Sequence, residues 1–351
     1  MRLATDRTAI RRLIGHGSLT LVLLSLLVAC VPGQFIGKKA RCNFPGIQSV
    51  DVSSDDGMLL FSYCDEDNTY VATSGIDGDD VKVIRRADDN AIFQRVVFSP
   101  DNQQIYFIRR SSRDKSYLYA MDVDGSNVQS VTSGGPGTNN VLDFVIAADG
   151  QRIYYSSAGI FRSYSPVAAA RPHDVDFYSM KLNGTDIRKI TQMHAYAING
   201  VAVSRDESEL YYYGGVVDIA SGAYQGPLPF TLSPEAGITG EIAAWTSPHP
   251  MSEVSGDGLL LVACGKRDKP GQQRWEEVAG YGLYVNDTKS RLLTREIVWL
   301  HAYLDSPTWR HRGDGVLFIR NDLLSGARNY SQLWYVQTDG SDLERILLDL
   351  P

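Results

Sequence analysis

Three histidines occupy comparable places in the sequence and offer donor atoms for a ligand or metal site. His194 and His301 each precede an Ala-Tyr pair, which places Tyr196 and Tyr303 beside them. His249 lies in a comparable segment between two predicted strands. Imidazoles that converge can bind a divalent metal, and aromatic rings can anchor a protein interface or stack on sugars. The alternative is that these residues form a rim and bond to the backbone. The sequence favours that alternative, because no Glu or Gln partner is identifiable.

Cys30 carries the most specific chemical signal in the chain. A basic start is followed by an uncharged run over 19–29 that ends in Leu27-Val28-Ala29-Cys30. This resembles the bacterial lipobox, in which a peptidase cuts before a cysteine that already carries a diacylglycerol thioether. The run is too short to span a bilayer as a helix. We expect residues 1–29 to be a lipoprotein signal peptide, with a plain secretory peptide or a buried apolar helix as alternatives.

The lipid on Cys30 is the one cofactor-like group that the sequence predicts. Acyl chains would anchor the exported protein stably to a membrane. The expected location is the periplasmic side of the outer membrane if the organism has one, and otherwise the cell surface. The formal net charge of −7 disfavours nucleic acid and anionic lipid as partners and leaves the anchor as the predicted membrane attachment.

Three cysteines follow Cys30, so at least one thiol stays unpaired. Cys42 and Cys64 are neighbours in sequence, and a disulfide between them would tie the N-terminal segment to the first strands. Three reduced cysteines buried in apolar strands, such as the strand that contains Cys264, fit the sequence equally well.

An internal repeat organises the remaining chain. Each unit has an apolar anchor, a Ser-Pro-Asp-Gly-like turn and a short apolar strand, and several units add a downstream Asp-Gly or Asn-Gly turn. The six anchors are Val52, Phe98, Ile146, Val203, Val254 and Trp309. Asp-Gly turns between alternating strands are typical of hairpins, so each unit predicts four antiparallel strands. Repeats of about fifty residues with four strands each are typical of β-propellers.

The repeats resemble the TolB-type, or WD40-like PD, repeat with its W-S-P-D-G and M-D-x-D-G signatures. Phe98-Ser99-Pro100-Asp101-Asn102 and Met121-Asp122-Val123-Asp124-Gly125 match it closely. The resemblance implies an all-β, six-bladed propeller of four-stranded antiparallel blades over 47–351, without the N-terminal α/β domain of TolB itself. Residues 30–46 then form a lipidated tether or a strand that closes the ring. The fourth unit matches worst, which predicts an insertion between 216 and 245.

These observations favour a binding protein over an enzyme. The sequence contains no Gly-x-Ser-x-Gly nucleophile motif. We expect a non-catalytic platform that docks an envelope protein on the face bearing His194, Tyr196, His249, His301 and Tyr303. The alternative is a propeller that binds carbohydrate, or cleaves it with a metal held by His194, His249 and His301. Propeller-type pectate-fragment lyases use a histidine cluster with a divalent metal in this way.

Overall fold

The structure, a computed structural model, consists of β-strands joined by turns. It describes residues 42, 45–64, 69–88, 91–112, 115–163, 170–198, 200–212, 215–225, 231–233, 237–239, 252–254, 260–267, 278–286, 291–292, 302–322 and 331–350. Among these residues, no helix has the length and apolar character needed to cross a membrane.

Most strands belong to six four-stranded antiparallel sheets in which consecutive strands pair. Sheet one contains β1 (Gly46–Val52), β2 (Met58–Cys64), β3 (Thr69–Gly75) and β4 (Lys82–Arg86). Sheet two contains β5 (Ile92–Phe98), β6 (Gln104–Ser112), β7 (Lys115–Asp122) and β8 (Gln129–Ser130). Sheet three contains β9 (Val141–Ile146), β10 (Arg152–Arg162), β11 (Arg171–Lys181) and β12 (Arg188–Lys189).

The second half of the chain repeats this order. Sheet four contains β13 (Ala202–Val203), β14 (Glu209–Tyr212), β15 (Gly215–Asp218) and β16 (Tyr224–Gln225). A separate two-stranded sheet follows, formed by β17 (Thr231–Ser233) and β18 (Gly237–Thr239). Sheet five contains β19 (Ser252–Val254), β20 (Leu260–Arg267), β21 (Val278–Asn286) and β22 (Arg291–Leu292). Sheet six contains β23 (Ala302–Trp309), β24 (Gly315–Asp322), β25 (Ser331–Gln337) and β26 (Glu344–Ile346).

The turn from first to second strand has the same local structure in successive sheets. In sheet two, Ser99 donates its hydroxyl to the Asp101 carboxylate at 2.5 Å, and Asn102 donates its N–H to the Ser99 carbonyl at 2.8 Å. Asn102 has φ +57°, a conformation that Asn tolerates better than most residues. The corresponding positions in four other sheets also have positive φ, at Asp56, Gly150, Glu207 and Gly313. The Ser-Pro-Asp-Gly-like repeat therefore encodes this turn.

Neighbouring sheets pack through apolar clusters, which form the core. Separate clusters join sheets one and two, two and three, three and four, five and six, and six and one. The contact between the last sheet and the first uses Gly78, at φ +91°, where a Cβ would overlap the Leu347 carbonyl oxygen. Gly125 approaches the Ile84 carbonyl of sheet one in the same way. The contact between sheets six and one therefore resembles the contact between sheets one and two, because in each a turn glycine lies close to a backbone carbonyl of the neighbouring sheet.

The first strands of the sheets lie next to one another and surround a central channel. β1 contacts β5 and β23, and β13 contacts β9 and β19. Several of these strands contain a bulge, with register shifts between Gln94 and Val96 in β5 and between Asp305 and Thr308 in β23. Bulges re-aim side chains relative to the regular alternation.

The prediction of an all-β propeller with four-stranded antiparallel blades is confirmed. Five of the sheets have described side chains, whereas sheet five is described through its backbone pairing and the buried Leu283. Sheet six is formed entirely by strands from the C-terminal part of the chain, and β1 belongs to sheet one. The leader over 1–29 and Cys30 lie outside the described residues.

The propeller has two ends. The turn end is the end at which first and second strands connect, as at Ser53 and Ser99. The junction end is the opposite one, where second strands finish, as at Cys64 and Arg162. His194 and Tyr196 lie at the junction end, because they precede the first strand of sheet four.

Candidate functional site

Four charged residues from four first strands meet around the central channel. They are Asp51 in β1, Arg95 in β5, Asp143 in β9 and Asp305 in β23. The Arg95 Nε atom lies 3.4 Å from the Asp143 carboxylate and 3.4 Å from the Phe144 carbonyl oxygen. Arg95 occupies the bulge of β5 with φ +39°, so the bulge positions this guanidinium between sheets two and three.

The channel carboxylates hold their protons more tightly than ordinary aspartates. Burial raises the pKa of Asp51 to about 6, against the opposing effects of the Phe98 N–H, which donates to it at 2.7 Å, and of Arg95. Burial also raises the pKa of Asp305 to about 7, and the negative charge of Asp143 adds to this shift. The pKa of Asp143 rises by burial as well. One guanidinium therefore faces three carboxylates that it only partly neutralises.

A cavity of about 440 Å³ opens at the turn end of this channel. Its wall combines apolar residues near the ends of the first strands, such as Val97, Val145 and Val203, with the charged Asp51 and Arg95. The turns contribute the rest of the mouth, including Pro100, Ala148, Arg205 and His311. Because several sheets share it, the cavity is a composite surface held by a rigid ring.

His194 takes part in a compact cluster with two aspartates at the junction end. Its Nδ1 atom lies 2.7 Å from Asp174 and 4.0 Å from Asp176. One Asp176 oxygen accepts bonds from the Thr191 hydroxyl at 2.9 Å and the Met193 N–H at 2.6 Å. The other Asp176 oxygen lies 2.8 Å from the Lys189 ammonium. The three side chains could hold a metal by distance alone, but a metal at Asp176 would have to compete with that ammonium.

Among the described residues of the predicted binding face, Tyr196 makes a contact of its own, separate from the contact between His194 and Asp174. Tyr196 stacks on His173 with ring centroids 4.1 Å apart, and His173 Nδ1 lies 2.9 Å from the Tyr196 carbonyl oxygen. Tyr303 lies in β23, where it pairs with Asn321 in register. His249 and His301 lie outside the described residues. The structure therefore assigns a local contact to His194 and another to Tyr196.

Cys42 and Cys64 form a disulfide with their Cα atoms 6.0 Å apart. Cys64 ends β2 and is fully buried, and it packs with Cys42 against Ile92 of sheet two. The bond attaches the chain preceding β1 to the junction end of the propeller.

Comparisons with known proteins give the fold and no closer relationship. No protein-family model matches the sequence, and no curated protein matches it. A luciferin-regenerating enzyme is 12% identical with a TM-score of 0.52, over 88% of this chain and 96% of that one. XC5397, a gluconolactonase from Xanthomonas campestris, is 16% identical with a TM-score of 0.51, over 86% and 87% of the two chains. TolB from Acinetobacter baumannii is 13% identical with a TM-score of 0.48, and the match covers 84% of this chain and 62% of TolB. The two likenesses with TM-scores above 0.5 support the fold alone.

Sequence reasoning missed the charged group in the channel, although a signal for it exists. Arg95, Asp143 and Asp305 are each the single charged residue of their first strand, as in Phe-Gln-Arg-Val-Val-Phe. Charged residues are rarely buried without partners, so such residues point to a shared polar site. It also missed the second hairpin of sheet four, where Asp218 accepts bonds from Ser221 in place of an Asp-Gly turn.

Proposed function

We propose that this chain is a lipid-anchored, extracytoplasmic propeller of six blades that docks a partner protein at its turn-end cavity and is not itself an enzyme. The cavity carries the proposal. Its apolar wall, with Asp51 and Arg95 at the channel, is of the kind that receives a side chain or a short segment of a partner. Rigid scaffolds with loops on one face are well suited to such binding.

Export and anchoring are supported by two separate features. Cys30 follows a basic start and an apolar run, as lipidation requires. The Cys42–Cys64 disulfide is of the kind that persists in oxidising compartments outside the cytoplasm. The proposed attachment is a diacylglycerol on Cys30, with an envelope protein as the partner.

Six blades are supported by the sheet count and by the contact that closes the ring. Six four-stranded sheets follow one another along the chain. The cluster between sheets six and one contains Val50, Leu59, Leu317 and Ile319 and resembles the clusters between other sheets. Leu348 and Leu350 extend this cluster beyond the last strand.

The metal-dependent carbohydrate alternative requires His194 to turn toward a ligand. Its Nδ1 atom instead contacts Asp174, and the neighbouring Asp176 contacts Lys189. That arrangement ties β11 and β12 to the segment after them, so we favour the docking function.

A photo-crosslinking experiment tests the docking surface in cells. A crosslinking amino acid replaces Ala148, which is exposed and lines the cavity, or Ser126, an exposed turn residue of sheet two. We expect one envelope protein to be captured from position 148 and not from position 126, and to be lost on Arg205→Glu. Identical capture from both positions, or capture insensitive to Arg205→Glu, would contradict the proposal. Labelled fatty acid on the wild type and none on Cys30→Ser tests the anchor.

A further inference from the structure

A long hairpin in sheet three places two arginines opposite each other at the junction end. β10 and β11 have 11 residues each, whereas the second and third strands of sheets one and two have 7 to 9. Arg162 pairs with Arg171 in register, and both side chains are exposed. Like charges directly opposite each other weaken an antiparallel pair. The hairpin thus presents two positive charges together despite that cost.

More basic residues lie at the same end of the neighbouring hairpin. In sheet two, Arg109 and Arg110 stand near the end of β6, and the exposed Lys115 begins β7. We call Arg109, Arg110, Lys115, Arg162 and Arg171 the basic rim.

The positive charge of the rim affects the pKa of a neighbouring histidine. His173 pairs with Ile160, two residues before Arg162 in β10. Burial lowers the pKa of His173, and the positive charges of Arg171 and Arg162 lower it further. The adjacent carboxylate, Asp174, is engaged by His194 at 2.7 Å.

The disulfide brings the N-terminal segment to this same end. Cys64 ends the second strand of sheet one, as Arg162 ends the second strand of sheet three. Cys42 is bonded to Cys64, and Cys30 precedes Cys42 by twelve positions in the sequence. Twelve residues reach at most about 40 Å even when fully extended. A lipid on Cys30 would therefore lie no more than about 40 Å from Cys42, which is bonded at the junction end.

We propose that the basic rim binds the anionic headgroups of the membrane that carries the Cys30 lipid, so that the turn-end cavity faces away from that membrane. This inference rests on the lipid anchoring proposed above. The net charge of −7 disfavours an anionic surface as a partner, but charges farther away than about 8 Å are largely screened at physiological salt. A headgroup at the rim therefore senses the nearby arginines. Each basic residue close to such a surface strengthens attachment about fivefold.

The test uses the full chain with Cys30→Ser, which removes the acyl chains. Because the parent and its variants share residues 1–29, the difference between them reports the contribution of the rim. Binding is measured to vesicles of phosphatidylcholine alone and of phosphatidylcholine mixed with phosphatidylglycerol. The rim variant is Arg162→Glu/Arg171→Glu. It keeps two like charges at the same cross-strand pair and reverses only their sign. The matched control is Lys82→Glu/Lys181→Glu, an equal change of charge at two exposed turn-end positions.

We expect the rim variant to lose at least about tenfold in binding to the mixed vesicles, and the control to lose less than about twofold. Both should bind phosphatidylcholine vesicles as the parent does, and added salt should abolish the difference. Equal losses in the two variants, or no loss in either, would overturn the inference and point to an acidic protein as the ligand of the rim. Equal melting temperatures exclude a folding defect. Fatty-acid labelling of wild-type Cys30 reports on the anchor separately, so failure of the rim and failure of the anchor remain distinguishable.

Discussion

Replacement of Asp305 by Asn should stabilise the protein at alkaline pH and leave it unchanged in acid. Burial and the charge of Asp143 raise the pKa of Asp305 from 3.8 to about 7, although the Ser306 N–H, which donates to it at 2.8 Å, and Arg95 act the other way. A raised pKa means that the folded protein favours the protonated carboxyl. The folded state is therefore penalised increasingly as the pH rises from about 4 to about 7, because the unfolded chain ionises freely over that range.

The size of the effect follows from the shift. About three pH units correspond to about 4 kcal/mol, at about 1.4 kcal/mol each. The effective dielectric constant of protein sites is higher than that of a dry interior, so we expect about 2 to 4 kcal/mol at pH 8. Asn keeps an oxygen that accepts the Ser306 N–H, so the substitution removes the charge and retains the bond. Below pH 4 the two proteins should have equal free energies of unfolding.

Denaturant unfolding of wild type and Asp305→Asn across this pH range is the assay. Asp101→Asn is the control, and its effect on the free energy of unfolding should have the opposite sign. Ser99 and the Gln103 N–H donate to Asp101 and lower its pKa, so its ionised form stabilises the fold and that contribution is lost as the pH falls. Asp101→Asn should therefore destabilise at neutral pH and approach wild type in acid. A pH-independent effect of Asp305→Asn, or destabilisation at pH 8, would refute the reasoning.

Three further substitutions test contacts between residues that are distant in sequence. Gly78→Ala should lower the free energy of unfolding by about 3 kcal/mol or more, because the positive φ of Gly78 and its close approach to the last sheet both exclude a Cβ. The control is Gly313→Ala, which should cost about 1 kcal/mol, because Gly313 has φ +73° but no neighbour within 4 Å. Similar melting temperatures for the two variants would contradict a tight closing contact. Cys42→Ser should cost about 3 kcal/mol, since the disulfide closes a loop of 22 residues, and adding Cys64→Ser should cause no comparable further loss. Asp56→Ala should cost about 1 to 3 kcal/mol, because this buried carboxylate accepts two N–H bonds at 2.8 Å from the turn of sheet six; an unchanged unfolding midpoint would exclude that role.

The sequence predicted the blades well because their signals are local. At the first turn of sheet two, Ser99, Asp101 and Asn102 fix the structure through bonds between residues no more than five positions apart. The same local chemistry repeats in other sheets, so the repeat revealed both the strands and their order. Sheet four was the exception, since its hairpin uses Asp218 and Ser221 in place of the Asp-Gly signal.

The candidate sites were harder to predict because they join distant parts of the chain. His194 was identified as a site residue, but its contact with Asp174 depends on the positive φ of Asp174, +60°, in a hairpin twenty residues earlier. Arg95 and Asp143 meet across two sheets, 48 positions apart in the sequence. Nothing in a single repeat indicates which charged residues will face the same channel.

The sequence by itself determined the repeat, the turns and the four-stranded unit, because positive φ angles and short-range side-chain bonds act within a few residues. The tertiary structure alone decided which charges share the channel, that Cys42 and Cys64 lie at the same end as Arg162, and how sheet six contacts sheet one. The bond from Thr308 of β23 to the Val50 carbonyl joins residues 258 positions apart. Such contacts form only when all the sheets are in place, because the geometry of the ring brings β23 next to β1.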